Sequence, residues 1–268
     1  MLTILFLGDI VGESGRSAVI ARLPELKREL NFDFIIVNGE NAAAGRGITP
    51  KITIDLLRAG VSVITSGDHI WDRKEIVSFI DTEPRLLRPL NYPPGAPGAG
   101  TIVLETRKGK VGVINVQART FMQPILENPF PLLDAAVNEM RVQTSNIIVD
   151  AHGETTSEKI AIGRYLDGRV SAVLGTHTHV QTADEQIFEG GTAFICDAGM
   201  CGPVHSILGR EIEPVVSRFI SNLPAAFPVA HGEARLRGAL LQIDETTGRA
   251  ASIRRVDEPG AALESAPA

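Results

Sequence analysis

Short runs of apolar, mostly β-branched residues recur along the chain and predict β-strands. Eight runs of four to six residues lie at 3–7, 34–37, 61–65, 101–105, 111–116, 146–149, 171–174 and 192–195. Continuous apolar runs of this length are typical of strands that are buried on both faces of a sheet. The pattern therefore predicts sheet structure that other elements cover on both sides.

Stretches with helical spacing of apolar residues separate several of these strands. They lie at 14–30, 49–60, 72–80 and 155–166. Thr49 is followed by proline, the arrangement of an N-cap and a first-turn proline. Asp72 with Glu75, and Thr155 with Glu158, match the capping-box pattern. Strands that alternate with helices predict βαβ units and a largely parallel sheet, and hence the α/β class.

The last part of the chain has a different pattern. Residues after 232 predict a hairpin that turns at Thr247 and Gly248. This hairpin either edges the main sheet or belongs to a second one. Residues 257–268 are predicted to be a disordered tail, because they are rich in acidic, small and proline residues. One domain over residues 1–256 is therefore expected.

Composition narrows the class of protein. Of the 268 residues, 44% are hydrophobic and 22% are charged, which is ordinary for a globular protein. The net charge of −6 argues against general nucleic-acid binding through a basic surface. A small phosphorylated substrate remains compatible with this charge, since bound metal ions reverse the local sign of an acidic site. Cys196 and Cys201 indicate no disulfide framework and are expected to be buried or loop thiols.

The apolar runs do not indicate export or membrane insertion. The first run is interrupted at Asp9, too early for a signal peptide. None of the runs approaches the roughly 20 residues of a membrane-spanning helix. We therefore expect a cytoplasmic protein without a membrane partner.

Carboxylate, amide and imidazole side chains follow five of the predicted strands. They are Asp9, Glu40 with Asn41, Asp68 with His69, Asp150 with His152, and His177 with His179. Taken singly, each has an ordinary explanation as a turn residue, a helix cap or a hydrogen-bonded loop histidine. The C-terminal ends of parallel strands, however, lie along one edge of a sheet, where open α/β folds bind ligands. Together the five motifs predict a metal site.

The donor atoms indicate which metals this site binds. Carboxylate oxygens and imidazole nitrogens without thiolates favour iron, manganese or zinc over a cysteine-rich structural zinc site. Three histidines and three acids are too many for one ion and favour two ions that share a carboxylate. Such two-metal sites serve phosphoryl displacement, because they hold the attacking and leaving oxygens and produce hydroxide near neutral pH.

The order of these motifs resembles that of the calcineurin-like metallophosphoesterases. Over about residues 3–255, the chain resembles the YmdB-like branch of that superfamily in GDIVGESGR, NGENAAAGRGIT, TSGDHIWDRKE, VDAHGETTSEK, GTHTHVQTADE and DAGMCGP. The resemblance implies an α/β sandwich of mostly parallel inner sheets flanked by helices. It also implies a phosphodiesterase or phosphatase in which a metal-bridging hydroxide attacks small nucleotide-like substrates, such as 2′,3′-cyclic nucleotides.

The resemblance further implies a role for each motif residue. The metal ligands would be Asp9, Glu40, Asn41, Asp68, His152, His177 and His179. Glu40 would bridge two ions, of which one takes Asp9, His179 and neighbouring Asn41, and the other Asp68, His152 and His177. His69 would be the catalytic cation that stabilises the transition state or protonates the leaving oxygen. Iron is the expected metal, with manganese or zinc as alternatives, and a homo-oligomer is expected.

The motifs depart from the wider superfamily at several positions. The first motif lacks the histidine of D-x-H, and Glu40 replaces a bridging aspartate, as in the YmdB-like branch. Asp68 stands where the superfamily has asparagine, and a carboxylate binds metal but repels phosphate. This residue keeps open a metal- and nucleotide-binding regulatory protein without turnover. A metal-dependent amidohydrolase is the other alternative, although that class usually carries H-x-H on its first strand and not late in the chain.

Overall fold

Two six-stranded β-sheets face each other, and helices cover their outer surfaces. The computed structural model describes residues 1–260. The strands are β1 (Leu2–Ile10), β2 (Phe34–Asn38), β3 (Val63–Thr65), β4 (Thr101–Thr106), β5 (Gly109–Gln117), β6 (Ile147–His152), β7 (Ala172–Thr176), β8 (Gln186–Ile187), β9 (Ala193–Ile195), β10 (Met200–Pro203), β11 (Ala234–Ile243) and β12 (Ala250–Pro259). The helices are α1 (Gly12–Leu30), α2 (Pro50–Arg58), α3 (Ile76–Phe79), α4 (Pro129–Arg141), α5 (Thr156–Tyr165) and α6 (Ile212–Ser221), with a 3₁₀ turn at Ile80–Thr82.

Each sheet has a parallel centre. Both edges of the second sheet are antiparallel, whereas the first sheet has an antiparallel edge at β11–β12 and a parallel one at β3. The first sheet has the order β12-β11-β10-β1-β2-β3, in which β10, β1, β2 and β3 are parallel. The second has the order β4-β5-β6-β7-β9-β8, in which β5, β6, β7 and β9 are parallel. The predicted α/β class and the sandwich implied by the resemblance are confirmed. The predicted hairpin is β11–β12, at the edge of the first sheet.

Alternating side chains of the strands divide the core into three layers. On β1, Leu5 and Leu7 pack with α1 and α2, whereas Ile4 and Phe6 pack against the second sheet. The third layer lies between the second sheet and helices α4 and α5. Because both faces of the central strands are buried, their sequences are continuously apolar and not alternating.

Of the three predicted helix caps, the one at α2 is present, and those at α3 and α5 are not. The hydroxyl of Thr49 accepts a hydrogen bond from the N–H of Ile52 (3.3 Å), so Thr49 caps α2 as predicted. Both predicted capping boxes are wrong: α3 begins only at Ile76, and Thr155 makes no side-chain cap bond. Glu158 instead accepts hydrogen bonds from two N–H groups of the loop after β5 (3.0 and 2.8 Å). A tertiary contact thus replaces the local one.

The C-terminal boundary lies later than predicted. Strand β12 continues through residues 257–259, which pair with β11. Asp257 binds Arg235 (2.6 Å) and Arg237 (3.3 Å), so its charge supports strand pairing and does not mark the start of a tail. The rest of the predicted tail, from residue 261, lies outside the described residues. Among residues 1–260, no helix combines the length and the hydropathy needed to cross a membrane.

Candidate metal centre

The C-terminal ends of strands from both sheets meet at one edge of the sandwich. The first sheet contributes the ends of β1, β2 and β3, and the second contributes those of β6 and β7. There, Glu40, Asp68, His152 and His177 each place one ligand atom within 4.8 Å of the others. The structure therefore brings four of the predicted ligands together, although they come from four different strand ends.

His152 lies at the middle of this group and is fully buried. Its Nε2 is 3.2 Å from Glu40 Oε1, 3.2 Å from Asp68 Oδ1 and 3.0 Å from His177 Nδ1. Its Nδ1 is 2.9 Å from the hydroxyl of Thr176, which holds the ring in this orientation. One imidazole nitrogen thus faces three other donor groups.

The remaining predicted ligands form a second group beside the first. His179 Nε2 is 3.1 Å from Asn41 Oδ1 and 3.9 Å from Asp9 Oδ1. Asp9 connects the two groups, because its Oδ2 accepts a hydrogen bond from the backbone N–H of His177 (3.1 Å). Its other oxygen, Oδ1, is buried and has no hydrogen-bond partner among the described residues.

Three observations indicate that these residues are suited to bind metal ions. Buried carboxylate oxygens are normally paired, so Asp9 Oδ1 is a group that needs a cation or donor. A Cβ at Gly67 would lie 2.1 Å from His152 Nε2 and 2.3 Å from Glu40 Oε2, so glycine is required for the donors to converge. The donor set itself, oxygen and imidazole nitrogen, suits iron, manganese and zinc.

The cluster brings together three carboxylates, those of Asp9, Glu40 and Asp68, that are largely shielded from solvent. Burial would lower the pKa of His152, but Glu40 and Asp68 beside it raise that pKa well above its usual value. Burial raises the pKa of Asp9 against the opposing effect of His179. Against burial, His152 lowers the pKa of Asp68. The cluster therefore favours positive charge at its centre.

His69 lies at the rim of the cluster and not within it. Its Nε2 is 3.6 Å from Asp68 Oδ2, and its Nδ1 is 3.3 Å from Asp72 Oδ2. Asp72 also binds Arg46 Nε (2.9 Å). The backbone N–H of His69 donates to Glu40 Oε2 (3.3 Å), which fixes the start of this loop. The Nδ1 of His69 thus faces the Asp72 carboxylate, and its Nε2 faces the cluster.

A buried ion pair, which the sequence motifs did not predict, holds the H-x-H loop. Lys159 of α5 and Asp197, both almost fully buried, form an ion pair of 2.9 Å. Asp197 Oδ2 also accepts the backbone N–H of Thr178 (3.0 Å), the residue between the two histidines. Lys159 Nζ donates to the carbonyl of Thr176 (3.2 Å). Both residues lie in motifs noted above, but their sequence separation hid the contact.

Asp150 supports the strand ends from below the cluster. It is fully buried and accepts hydrogen bonds from the hydroxyls of Thr65 (2.5 Å) and Thr176 (2.6 Å) and from the Asn38 amide (3.1 Å). Burial raises the pKa of Asp150 to about 6. Through these hydrogen bonds Asp150 joins the ends of β2, β3 and β7. It therefore has a structural role and is not one of the proposed ligands.

Comparison with known proteins assigns this arrangement to a family. A family model described as "YmdB-like protein" matches residues 5–256. The chain belongs to the YmdB-like family. A 2′,3′-cyclic-nucleotide 2′-phosphodiesterase of Bacillus subtilis is 48% identical over 255 residues, which are 95% of this YmdB-like chain and 96% of that protein.

Two solved structures share the fold of this YmdB-like chain. A protein from Thermus thermophilus, 40% identical, superposes with a TM-score of 0.90, covering 97% of this chain and 100% of that one. A phosphatase from Mycoplasma pneumoniae, 34% identical, has a TM-score of 0.89 and covers 97% and 95%. The resemblance is confirmed: this YmdB-like protein is a phosphoric ester hydrolase with the metallophosphoesterase fold. Family membership disfavours the amidohydrolase alternative.

Proposed function

We propose that this YmdB-like protein is a two-metal phosphodiesterase that opens 2′,3′-cyclic nucleotides at the 2′ oxygen and releases nucleoside 3′-phosphates. The observation that carries the proposal is the convergence of Glu40, Asp68, His152 and His177 within 4.8 Å. The reaction and its regiochemistry are those named for the Bacillus subtilis relative of 48% identity. The unpartnered Asp9 Oδ1 beside the cluster supports a second ion.

The ligands divide between the two ions according to the two groups described above. Glu40 would bridge the ions, Asp9, Asn41 and His179 would complete one, and Asp68, His152 and His177 would complete the other. The contacts of His179 with Asn41, and of His177 with His152, support this division. Iron is the metal proposed, with manganese or zinc as substitutes, because all three accept oxygen and imidazole ligands.

Bound metal ions supply positive charge for the phosphate oxygens and lower the pKa of water toward neutrality. His69 performs the complementary task. Asp72 at its Nδ1 orients the ring, and the form of His69 that acts in this proposal is the one with a proton on Nε2, the nitrogen that faces Asp68 and the cluster. As the bond between phosphorus and the 2′ oxygen breaks, this proton passes to that oxygen, and the oxygen of water forms the new bond to phosphorus.

A product assay tests this function. Purified protein is incubated with 2′,3′-cyclic AMP and, separately, with bis-p-nitrophenyl phosphate, each with manganese and with a chelator. We expect hydrolysis of both with manganese, loss with the chelator, and 3′-AMP as the nucleotide product by chromatography. Release of 2′-AMP would contradict the regiochemistry, and no hydrolysis of either ester would contradict the enzyme.

Asp68 supports one alternative, a regulatory protein that binds metal and nucleotide with negligible turnover. Its carboxylate lies 3.2 Å from His152 and 3.4 Å from His177, where it holds metal but adds negative charge near the phosphate. Substitution Asp68→Asn distinguishes the two functions. An active wild type supports the enzyme, whatever the rate of Asp68→Asn. A negligible wild-type rate favours the regulatory function, and a higher rate in Asp68→Asn would then assign the lack of turnover to this carboxylate.

We propose that the protein acts in the cytoplasm on a small nucleotide-like substrate. We also propose that it is a homo-oligomer. The net charge of −6 supports the absence of general nucleic-acid binding. Fractionation of the cells that produce the protein, with detection by antibody, checks the compartment.

A further inference from the structure

The loop of residues 42–46, which directly follows the proposed ligands Glu40 and Asn41, is held by arginines. Three guanidinium groups from other parts of the chain each donate a hydrogen bond to a backbone carbonyl of this loop. They are those of Arg16 (to Ala42, 2.8 Å), Arg73 (to Ala43, 2.6 Å) and Arg210 (to Gly45, 2.5 Å). A carbonyl has no net charge, so these bonds leave the positive charge of each arginine in place.

Arg46 adds a fourth guanidinium at the end of the loop, and this one is accessible. Its side chain is 59% exposed, and its Nε is 2.9 Å from Asp72 Oδ2. Its Nη2 lies 3.4 Å from His69 Nδ1. Burial lowers the pKa of Arg210, and the nearby charge of Arg46 lowers it further. Among residues 1–260, Asp72 is the one carboxylate that pairs with these four arginines, so this side of the metal centre is cationic.

Beyond His177, the edge of the centre is acidic instead. Glu154 Oε2, on a half-exposed side chain, is 3.4 Å from His177 Nε2. The carboxylate of Asp68 lies between the two sides, with Oδ2 toward His69 and Oδ1 toward His177. An anionic group that extends from the cluster is therefore stabilised on the His69 side and repelled on the Glu154 side.

The proposed reaction determines which part of the substrate lies beside His69. The 2′ oxygen that receives the proton is an atom of the ribose, so the ribose has to lie at His69 Nε2. The Nδ1 of the same ring faces Arg46 and Asp72. One imidazole ring thus separates the ribose from the Arg46 guanidinium. The next charged group of a nucleotide is a phosphate on the 5′ oxygen of that ribose.

We propose that Arg46 binds a second phosphate of the substrate, the one on the 5′ oxygen of the ribose that carries the 2′,3′-cyclic phosphate. A guanidinium suits this group, because its paired N–H donors match the oxygens of a phosphate. The proposal rests on the function proposed above and narrows its substrate class. Such a 5′ phosphate belongs either to a free mononucleotide or to the last ribose of an RNA chain.

Binding of product nucleotides tests this subsite without turnover. Calorimetric titration of manganese-loaded protein compares 3′-AMP with adenosine 3′,5′-bisphosphate, which differs only by the 5′ phosphate. We expect the bisphosphate to bind wild type about tenfold more tightly, the effect of one charged hydrogen bond. Arg46→Gln should remove most of this difference, and Arg46→Lys should keep part of it because it keeps the charge.

Arg107→Gln is the matched control and should keep the whole difference. Arg107 lies in the turn between β4 and β5, at the N-terminal end of β5. Strand β5 runs parallel to β6, whose C-terminal end carries His152, so this turn is at the edge of the sheet remote from the metal centre.

Hydrolysis rates distinguish the two sources of the second phosphate. The substrates are 2′,3′-cyclic AMP, its 5′-phosphorylated form, and the dinucleotide ApA with a terminal 2′,3′-cyclic phosphate. The ratio of kcat/KM to that of 2′,3′-cyclic AMP cancels any effect of Arg46→Gln on His69, which all three substrates share. A ratio of about ten for the 5′-phosphorylated form supports free nucleotides, and for the dinucleotide supports RNA ends. Either ratio should fall toward one in Arg46→Gln.

Several results would overturn the subsite. They are equal affinity of wild type for the two product nucleotides, a preference that Arg46→Gln leaves unchanged, and kcat/KM ratios near one for both phosphate-bearing substrates of an active wild type. Hydrolysis of 2′,3′-cyclic AMP in these cases still upholds the proposed function. An Arg46-dependent binding preference without hydrolysis of any of the three substrates would uphold the subsite and contradict the enzyme.

Discussion

At the scale of single residues, the H-x-H motif shows how backbone conformation determines the ligands. His177 and His179 have φ values of 100° and 66°, a region that costs about 1–3 kcal/mol for residues other than glycine. This conformation turns His177 toward His152 and His179 toward Asn41. The spacing of the two histidines in the sequence does not contain that information. It results from contacts to Asp9 and Asp197, which hold the amides of residues 177 and 178.

The buried pair Lys159–Asp197 should be essential for stability. Lys159→Met leaves the Asp197 carboxylate buried and unpaired, so we expect a loss of about 3–5 kcal/mol in the free energy of unfolding. Urea titration measures it. Lys108→Met is the control, because Lys108 forms an exposed pair of 2.8 Å with Asp33, and such pairs contribute about 1 kcal/mol or less. Equal losses in the two variants would show that burial of the first pair has no special effect.

His69 should affect the rate and not the metal content. His69→Ala removes the proposed proton donor but none of the proposed ligands, so kcat should fall about 10²–10⁴-fold. Asp72→Asn, which weakens the contact with His69 Nδ1, should lower kcat less. Elemental analysis of both variants should match wild type. Loss of metal from His69→Ala would instead make His69 part of the metal-binding group.

At the scale of elements, two threonines at predicted helix starts give a direct test of capping. Thr49→Ala removes the hydrogen bond to the N–H of Ile52 and should destabilise the protein by about 1 kcal/mol. Thr155→Ala removes a hydroxyl that makes no cap bond and should have a smaller effect. Thermal or urea unfolding of both variants measures the difference. A larger loss in Thr155→Ala would contradict the described caps.

The elements that could be predicted from the sequence are those whose own residues determine them. Most of the buried strands were predicted because a strand with two covered faces is apolar throughout. Strand β10 (Met200–Pro203) is also buried and was not predicted. Helix α4 was not among the predicted helices. Two prolines, Pro129 and Pro131, lie in its first turn, and Asn128 caps it by accepting the Phe130 N–H (3.2 Å). The capping boxes were wrong because Glu158 and Asp72 bind distant groups. A sequence pattern does not show whether such a side chain bonds to its own helix N-terminus or to a group that is distant in the sequence.

At the scale of the whole molecule, the position of the candidate site follows from topology. Parallel strands place their C-terminal ends at one edge, so residues as far apart as Glu40 and His177 could be predicted to meet. The groups that support them could not, because Lys159 and Asp197 meet only through packing of α5 on β7 and the end of β9. The resemblance supplied the roles of the ligands, which the spacing alone left open.

Metal binding should stabilise the whole fold, because the ligands come from both sheets. An ion present at about 100 times its Kd adds about 2.7 kcal/mol to the stability of the native state. For a chain of this size, chelation should therefore lower Tm by about 5–10 °C. His152→Ala should show little change between manganese and chelator. An unchanged Tm in wild type would indicate that no metal links the sheets.

The number of metal ions per chain tests the central claim most directly. Glu40 is proposed to bridge two ions, and Glu40→Gln keeps its size while removing the charge and one of the two ligand oxygens. Elemental analysis after manganese loading and gel filtration should give two ions per chain for wild type and at most one for Glu40→Gln. One ion or none in wild type, or two in Glu40→Gln, would contradict a centre bridged by Glu40.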